Sequence, residues 1–156
     1  MTSDIDAPEY WQAWFDGSAQ PNPGALGIGV VLLSPLAQRH EHSERLAGCG
    51  CNNEAELHAL CTLLDLASSL GVRCLLVSGD SVVAIRYVRG PDATAIAPLA
   101  ALVAKIRNRL KHFDDVVLQW IPRHKNGEAD RLARRALGLP DKPAGICQPK
   151  RKRRRR

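Results

Sequence analysis

The amino-acid sequence predicts an α/β domain in which a mixed β-sheet carries helices on its faces. Three observations carry this reading. The first part of the chain holds three strand-like segments joined by short turns. From Asn53 onward the apolar residues switch to a helical period. After that helix, strand and helix patterns alternate. With 156 residues, 45% of them hydrophobic, the chain suffices for one domain with a sizeable core.

The elements follow in order. Tyr10 to Phe15 reads as an aromatic-rich strand ending at Asp16-Gly17, and Ser18 to Gly24 as a turn rich in Pro, Asn and Gly. Gly27 to Leu33 has the composition of a fully buried strand. Gln38 to Ala47 is more polar and edge-like, completing an antiparallel meander. Glu56, Leu60, Leu63, Ala67 and Leu70 recur at i, i+4, i+7, i+11 and i+14, one face of a helix that Gly71 terminates. Cys74 to Ser78 is a short buried strand. Ser81 can cap a helix from Val82 to Arg89, stopped by Gly90-Pro91. Ile96 to His112 is a second amphipathic helix, Asp115 to Ile121 a strand, and Glu128 to Leu137 a last helix ended by Gly138 and Pro140. Residues 1–9 read as a loose arm, 10–139 as the domain, and 140–156 as a disordered basic tail.

Charge needs to be located. The net charge is +6, but Lys150 to Arg156 are all basic, and residues 1–149 alone carry −1. The body is therefore near neutral. A block of seven like charges repels itself and suits a polyphosphate partner, although a solubility tail has the same composition. No apolar run reaches the roughly 20 residues of a bilayer span. Met1 to Pro8 is acidic and polar, without the features of a secretory signal. Five cysteines (Cys49, Cys51, Cys61, Cys74 and Cys147) make an odd count, read as reduced thiols in a cytoplasmic protein.

Four acids stand in unusual positions. Asp16 follows WQAWF and Asp80 follows CLLVSG, so both lie at or just past the carboxyl ends of buried strands, where ligands bind in open α/β sheets. Glu56 occupies the apolar stripe of its helix, where a lone carboxylate would cost several kcal/mol in desolvation. Asp130 lies at i−3 and i−7 from Ala133 and Leu137, at the edge of the last helix's apolar face. Singly, each has an ordinary explanation as a turn, cap or helix-dipole residue. Together they can converge on one rim of the sheet, where repulsion would raise their pKa values unless a cation intervened. Oxygen ligands with few His or Cys suit Mg²⁺ or Mn²⁺ rather than zinc.

The segment Asp16-Gly17-Ser18-Ala19-Gln20-Pro21-Asn22-Pro23-Gly24 resembles the opening signature of type 1 ribonucleases H. Asn52-Asn53-Glu54-Ala55-Glu56-Leu57 is similar to the second motif of that family, and Ser78-Gly79-Asp80-Ser81 to the third. Trp120-Ile121-Pro122-Arg123-His124, through Asn126, Ala129 and Asp130, resembles the last. The likeness spans about Trp11 to Gly138. It implies a ribonuclease H-like fold: a five-stranded mixed sheet, three antiparallel strands then two parallel, with helices on both faces.

It also implies an endoribonuclease that hydrolyses the RNA strand of an RNA–DNA hybrid with two Mg²⁺, or Mn²⁺, leaving 5′-phosphate and 3′-hydroxyl ends. Asp16 would bridge both metals, Glu56 and Asp80 would hold one, and Asp130 would complete the other. His124 would shuttle a proton or help product leave. Gly17, Ser18, Asn22, Asn53 and Ser81 are the candidate substrate contacts, with Asn22 and Asn53 in the minor groove where 2′-hydroxyls can be read. Asn is also simply common in turns. A soluble monomer with no membrane partner is expected.

Two departures stand out. Some family members carry a basic, Trp-rich insertion that grips the hybrid. Here Gly90 to Ile96 holds no Lys or Arg, and Lys105, Arg107, Arg109 and Lys111 are spread round their helix. The chain therefore resembles bacterial or archaeal forms lacking that protrusion, and the basic tail is expected to substitute for it. Before Asn52, where the family often has a hydroxyl residue that holds a DNA phosphate, this chain has Gly48-Cys49-Gly50-Cys51. The rival readings are a DNA nuclease or resolvase of related fold, which would lack the NPG turn, and a non-catalytic hybrid-binding module, which would be expected to lack one of the acids.

Overall fold

The computed structural model describes residues 7–90 and 97–142. The strands are β1 (Tyr10–Gln20), β2 (Gly24–Leu33), β3 (Arg39–Gly50), β4 (Cys74–Gly79) and β5 (Asp115–Trp120). The helices are α1 (Asn52–Ser69), α2 (Val82–Arg89), α3 (Ala97–Leu110) and α4 (Gly127–Ala136), with a 3₁₀ turn at Arg123–Lys125. The sheet order is β3-β2-β1-β4-β5. β1 pairs antiparallel with β2, and β2 with β3, while β1/β4 and β4/β5 are parallel. This is the mixed α/β sheet the sequence predicts. No helix among the described residues is long and apolar enough to cross a membrane.

One boundary differs in a way that matters for the site. The sequence pattern ends the first strand at Asp16, whereas β1 runs on to Gln20 and leaves only Pro21–Pro23 as the turn. Its continuation is held by antiparallel pairing, with Asp16 opposite Gly29 and Gln20 opposite Ala25. The parallel ladder to β4 stops earlier, at Phe15 opposite Gly79. Asp16 is thus mid-strand on its β2 side and just past the ladder on its β4 side. Smaller shifts are that β3 extends to Gly50 and that α3 is described from Ala97 to Leu110.

The main core lies between the sheet and α1 with α3. Phe15, Ile28, Val30, Leu32 and Leu75 meet Leu57, Leu60, Leu63, Leu64 and Ile106, all fully buried or nearly so. Leu70, read as part of this stripe, is exposed because α1 ends at Ser69. The expected cap of α2 is present: the Ser81 hydroxyl accepts the Ala84 N–H at 3.1 Å.

α4 covers the opposite face, over β2. It comes in close because β2 presents glycines to it. A Cβ on Gly29 would lie 2.6 Å from the Ala133 nitrogen, and one on Gly27 would lie 2.6 Å from the Ala133 carbonyl. The edge of α4 is tied to β3 by Ser43 Oγ donating to the Leu132 carbonyl at 2.6 Å and by Arg39 paired with Glu128 at 2.7 Å. Gly29→Ala is therefore expected to destabilise the fold by about 1–3 kcal/mol, since α4 must shift bodily. Gly127→Ala, with no atom within 4 Å of the added carbon, should stay within about 0.5 kcal/mol of the parent. Urea unfolding of the two variants beside the parent checks this contrast, and equal stabilities would contradict it.

Candidate active site

Where the parallel ladder ends, chain segments from four elements meet. Asp16 on β1 is only 6% exposed. Gly17, the next residue, admits the N-terminal part of α1: a Cβ there would collide with the Ala55 carbonyl and the Glu56 nitrogen. This close approach brings Glu56 to Asp16, and the Gly17 N–H donates to the Glu56 carboxylate. Two asparagines pin the junction. Asn52 Oδ1 accepts the Ala19 N–H at 2.8 Å, and Asn22 Oδ1 accepts the Asn52 N–H at 3.1 Å.

Asp80 follows β4 directly. Its backbone carbonyl accepts the Trp120 indole N–H at 3.2 Å, tying it to the end of β5. Asn126, 1% exposed at the entrance to α4, donates from Nδ2 to the Phe15 carbonyl at 2.9 Å. The same Nδ2 lies 3.5 Å from Asp80 Oδ1, so this one amide links β1, the Asp80 loop and α4. One carboxylate oxygen from each of Asp16, Glu56 and Asp80 lies within 4.8 Å of the other two. Asp130, in the first turn of α4, stands near enough for its charge to raise the Asp16 carboxyl. The structure thus brings together Asp16, Glu56 and Asp80, with Asp130 beside Asp16.

The electrostatic consequence is large. Burial pushes the Asp16 carboxyl up to about 7; its hydrogen bond with Glu56 acts in the opposite direction, while the charges of Asp80 and Asp130 raise it further. Glu56 is held well above its ordinary value, first by burial and then by the charge of Asp16. Glu56 Oε2 is buried without a hydrogen-bond partner. An orphaned acceptor among converging carboxylates, with no His or Cys in the cluster, fits a hard divalent cation such as Mg²⁺ or Mn²⁺. Asp16, Glu56, Asp80 and Asp130 are the residues that could hold it.

The other candidates are distributed around this rim. His124 sits exposed in the Arg123–Lys125 turn that leads to α4. Ser18 and Asn53 are half-buried, on β1 and in the first turn of α1, and Asn22 is exposed in the β1–β2 turn. The Ser81 hydroxyl is engaged in capping α2. Sequence reasoning assigned no role to Asn126 or Arg123, although an amide four residues before an α4 acid was a usable signal. Arg123 Nε lies 3.5 Å from Asp80 Oδ2. Two of the three basic residues of α3 serve the fold instead of facing a ligand. Arg107 donates to the carbonyls of Tyr87, Val88 and Gly90, and Arg109 pairs with Asp65.

Residues 14–136 match the sequence family described as reverse transcriptase-like. The chain belongs to that family. Within it, Ribonuclease HI of Halobacterium salinarum is 33% identical over 125 residues, covering 80% of this chain and 63% of the relative. A bifunctional protein of Mycobacterium tuberculosis is 31% identical over 128 residues, 78% of this chain but 34% of the relative. The chain thus spans less than two thirds of the length of these curated relatives. The RNase H1 structure from Halobacterium salinarum aligns with a TM-score of 0.78 at 32% identity, covering 83% of this chain and 98% of that one. LC11-RNase H1, from compost and solved in complex with an RNA/DNA hybrid, aligns with a TM-score of 0.74 at 30% identity, covering 82% and 96%. The sheet and helices of this reverse transcriptase-like domain form a ribonuclease H fold.

The raised carboxyl of Asp16 sets a stability dependence on pH in the metal-free protein. The folded state holds its proton more tightly than the unfolded chain does. Stability is therefore lost as pH rises from the ordinary carboxylate range toward about 7, and the whole penalty is present above that. Asp16→Asn should be more stable than the parent in EDTA at pH 8, by an amount on the order of a few kcal/mol. The difference should shrink toward pH 4. Thermal melts across that range test it, and a pH-independent difference would contradict it.

Proposed function

We propose that this chain is a metal-dependent endoribonuclease that hydrolyses the RNA strand of RNA–DNA hybrids. The observation that carries this reading is the convergence of ligand oxygens of Asp16, Glu56 and Asp80 to within 4.8 Å of one another, with Glu56 Oε2 buried and without a hydrogen-bond partner among the described residues. The named activity of the Halobacterium relative and the hybrid held by LC11-RNase H1 support the substrate class.

Bound divalent cations would supply a water made nucleophilic near neutral pH and stabilisation for the leaving 3′-oxygen. The chain's own residues do the rest. Asp16, with Glu56 and Asp80 close by and the charge of Asp130 acting on it, would serve two cations. Glu56 and Asp80 would help hold one and Asp130 the other. The framework of Gly17, Asn52 and Asn126 keeps these carboxylates from moving apart. His124, exposed on its turn, would carry a proton between solvent and the reacting phosphate. The ends produced are a 5′-phosphate and a 3′-hydroxyl.

Recognition of RNA rests on the 2′-hydroxyl, accessible in the wide minor groove of an A-like helix. Asn22, Ser18 and Asn53 flank the carboxylates, and the Gly17 backbone permits close approach. Asn22 commits its carbonyl to α1, which leaves its amide N–H groups to donate. Non-specific grip falls to the basic run Lys150–Arg156, which lies outside the described residues.

The test is a cleavage assay on labelled RNA–DNA hybrid, RNA duplex and DNA duplex, with and without Mg²⁺. Only the hybrid's RNA strand should be cut, only with the cation, and Asp80→Asn should lower the rate by about a thousandfold or more. Removing residues 150–156 should weaken hybrid binding and flatten its salt dependence, by about 0.9 in log–log slope for each phosphate no longer neutralised. Single-turnover cleavage should change little. Intact RNA under these conditions, or cleaved DNA duplex, overturns the reading. An unaltered salt slope overturns the role given to the basic run.

A further inference from the structure

One cation of the chain is built into the rim of the acid cluster. Lys142 Nζ lies 3.0 Å from Asp130 Oδ2, with the lysine side chain 51% exposed and the carboxylate 20% exposed. Its position is set by the way the chain leaves α4. Gly138, at φ +68°, turns the backbone out of the helix, and the Leu139 N–H donates back to the Arg134 carbonyl at 3.0 Å. Arg134 then donates from Nε and Nη2 to the Pro140 carbonyl at 3.1 and 2.9 Å. The segment 138–142 thereby doubles back along α4 toward its N-terminus. Pro140 is held at Arg134, and Lys142 arrives one helical turn earlier, at Asp130.

We infer that Lys142 is a tethered counter-ion that competes with a divalent cation for the Asp130 carboxylate and so sets the concentration at which that cation binds. This rests on the reading above that Asp130 helps hold a cation. The physical argument is one of exchange. Asp130 stands near enough for its charge to act on Asp16, beside a cluster of carboxylates whose mutual repulsion raises the value of any positive charge nearby. An ammonium can occupy a carboxylate oxygen but contributes no second ligand and no Lewis acidity. It therefore shields the cluster without completing it, and the divalent ion must displace it. Arg123 beside Asp80 is a looser neighbour, at 3.5 Å and 82% exposed.

The pair is partly exposed, so the competition it exerts is modest. Removing the ammonium should tighten the affected binding step by about two- to fivefold. The experiment is calorimetric titration of Mn²⁺ into the full chain at low salt, comparing the parent with Lys142→Ala, Lys142→Arg and Asp130→Asn, each first shown by thermal melting to be folded. Lys142→Ala should tighten the weaker of two binding steps and leave the stronger one in place. Lys142→Arg, which keeps the charge, should stay near the parent. Asp130→Asn should remove or strongly weaken the step that Lys142→Ala tightens. If Asp130→Asn acts this way but Lys142→Ala leaves both steps unchanged or weakens one, the role of Lys142 is overturned and the ligand set stands. If Asp130→Asn leaves both steps intact, the assignment of Asp130 falls, and the role of Lys142 with it.

Discussion

The constraint on which the structure depends is the forced proximity of like charges in a poorly hydrated rim. Asp16 and Glu56 approach each other and Asp80 although burial and neighbouring charge disfavour the ionised forms of Asp16 and Glu56. Left to themselves, such side chains would turn out to water. They stay because backbone packing leaves them little choice. α1 abuts β1 at Gly17, α4 lies on the glycines of β2, and the Asn126 amide bolts the Asp80 loop to β1. The aliphatic core between the sheet, α1 and α3 supplies the stability that offsets this strain.

Much of this was legible in the sequence because each local signal agreed with the fold. Val82–Arg89 was bounded by a Ser cap and a Gly-Pro stop, and the structure has that helix with that cap. Glu56 was conspicuous because its neighbours at helical spacing are apolar, and its carboxylate is indeed buried with an unsatisfied oxygen. The length of β1 was not legible. Gly17 to Gly24 has turn composition, and only pairing with β2 keeps Ser18 to Gln20 in the strand. The purpose of Gly27 and Gly29 was equally hidden. A run such as GIGVVLL declares burial, but that its glycine face receives α4 is a tertiary fact. The path of residues 138–142 back along α4 could not be read either, since Gly-Leu-Pro signals only a helix stop.

The distribution of positive charge gives the domain its character. Its body is near neutral, and the arginines of α3 that might have gripped a polyanion are partly consumed in holding α2 and α1. Among the described residues, the cations paired with these acids are Arg123 at Asp80 and Lys142 at Asp130. Such a site attracts small divalent cations more readily than a phosphate backbone. On the proposed function, affinity for nucleic acid would come through bound cations, through the asparagines and backbone of the β1–β2 turn and α1, and through the basic run Lys150–Arg156. A divalent cation held by these carboxylates would relieve their repulsion and would offer its charge to a phosphate at the same place.

The most direct test of this account is the titration of the Asp16 side chain itself, followed by its carboxyl ¹³C resonance with and without Mg²⁺. In the metal-free protein the carboxyl should titrate near 7, raised chiefly by burial, and Mg²⁺ should drive it to the ionised form throughout the accessible range. An Asp16 that titrates at the ordinary carboxylate value of about 4 without metal, and does not respond to Mg²⁺, would contradict the central claim.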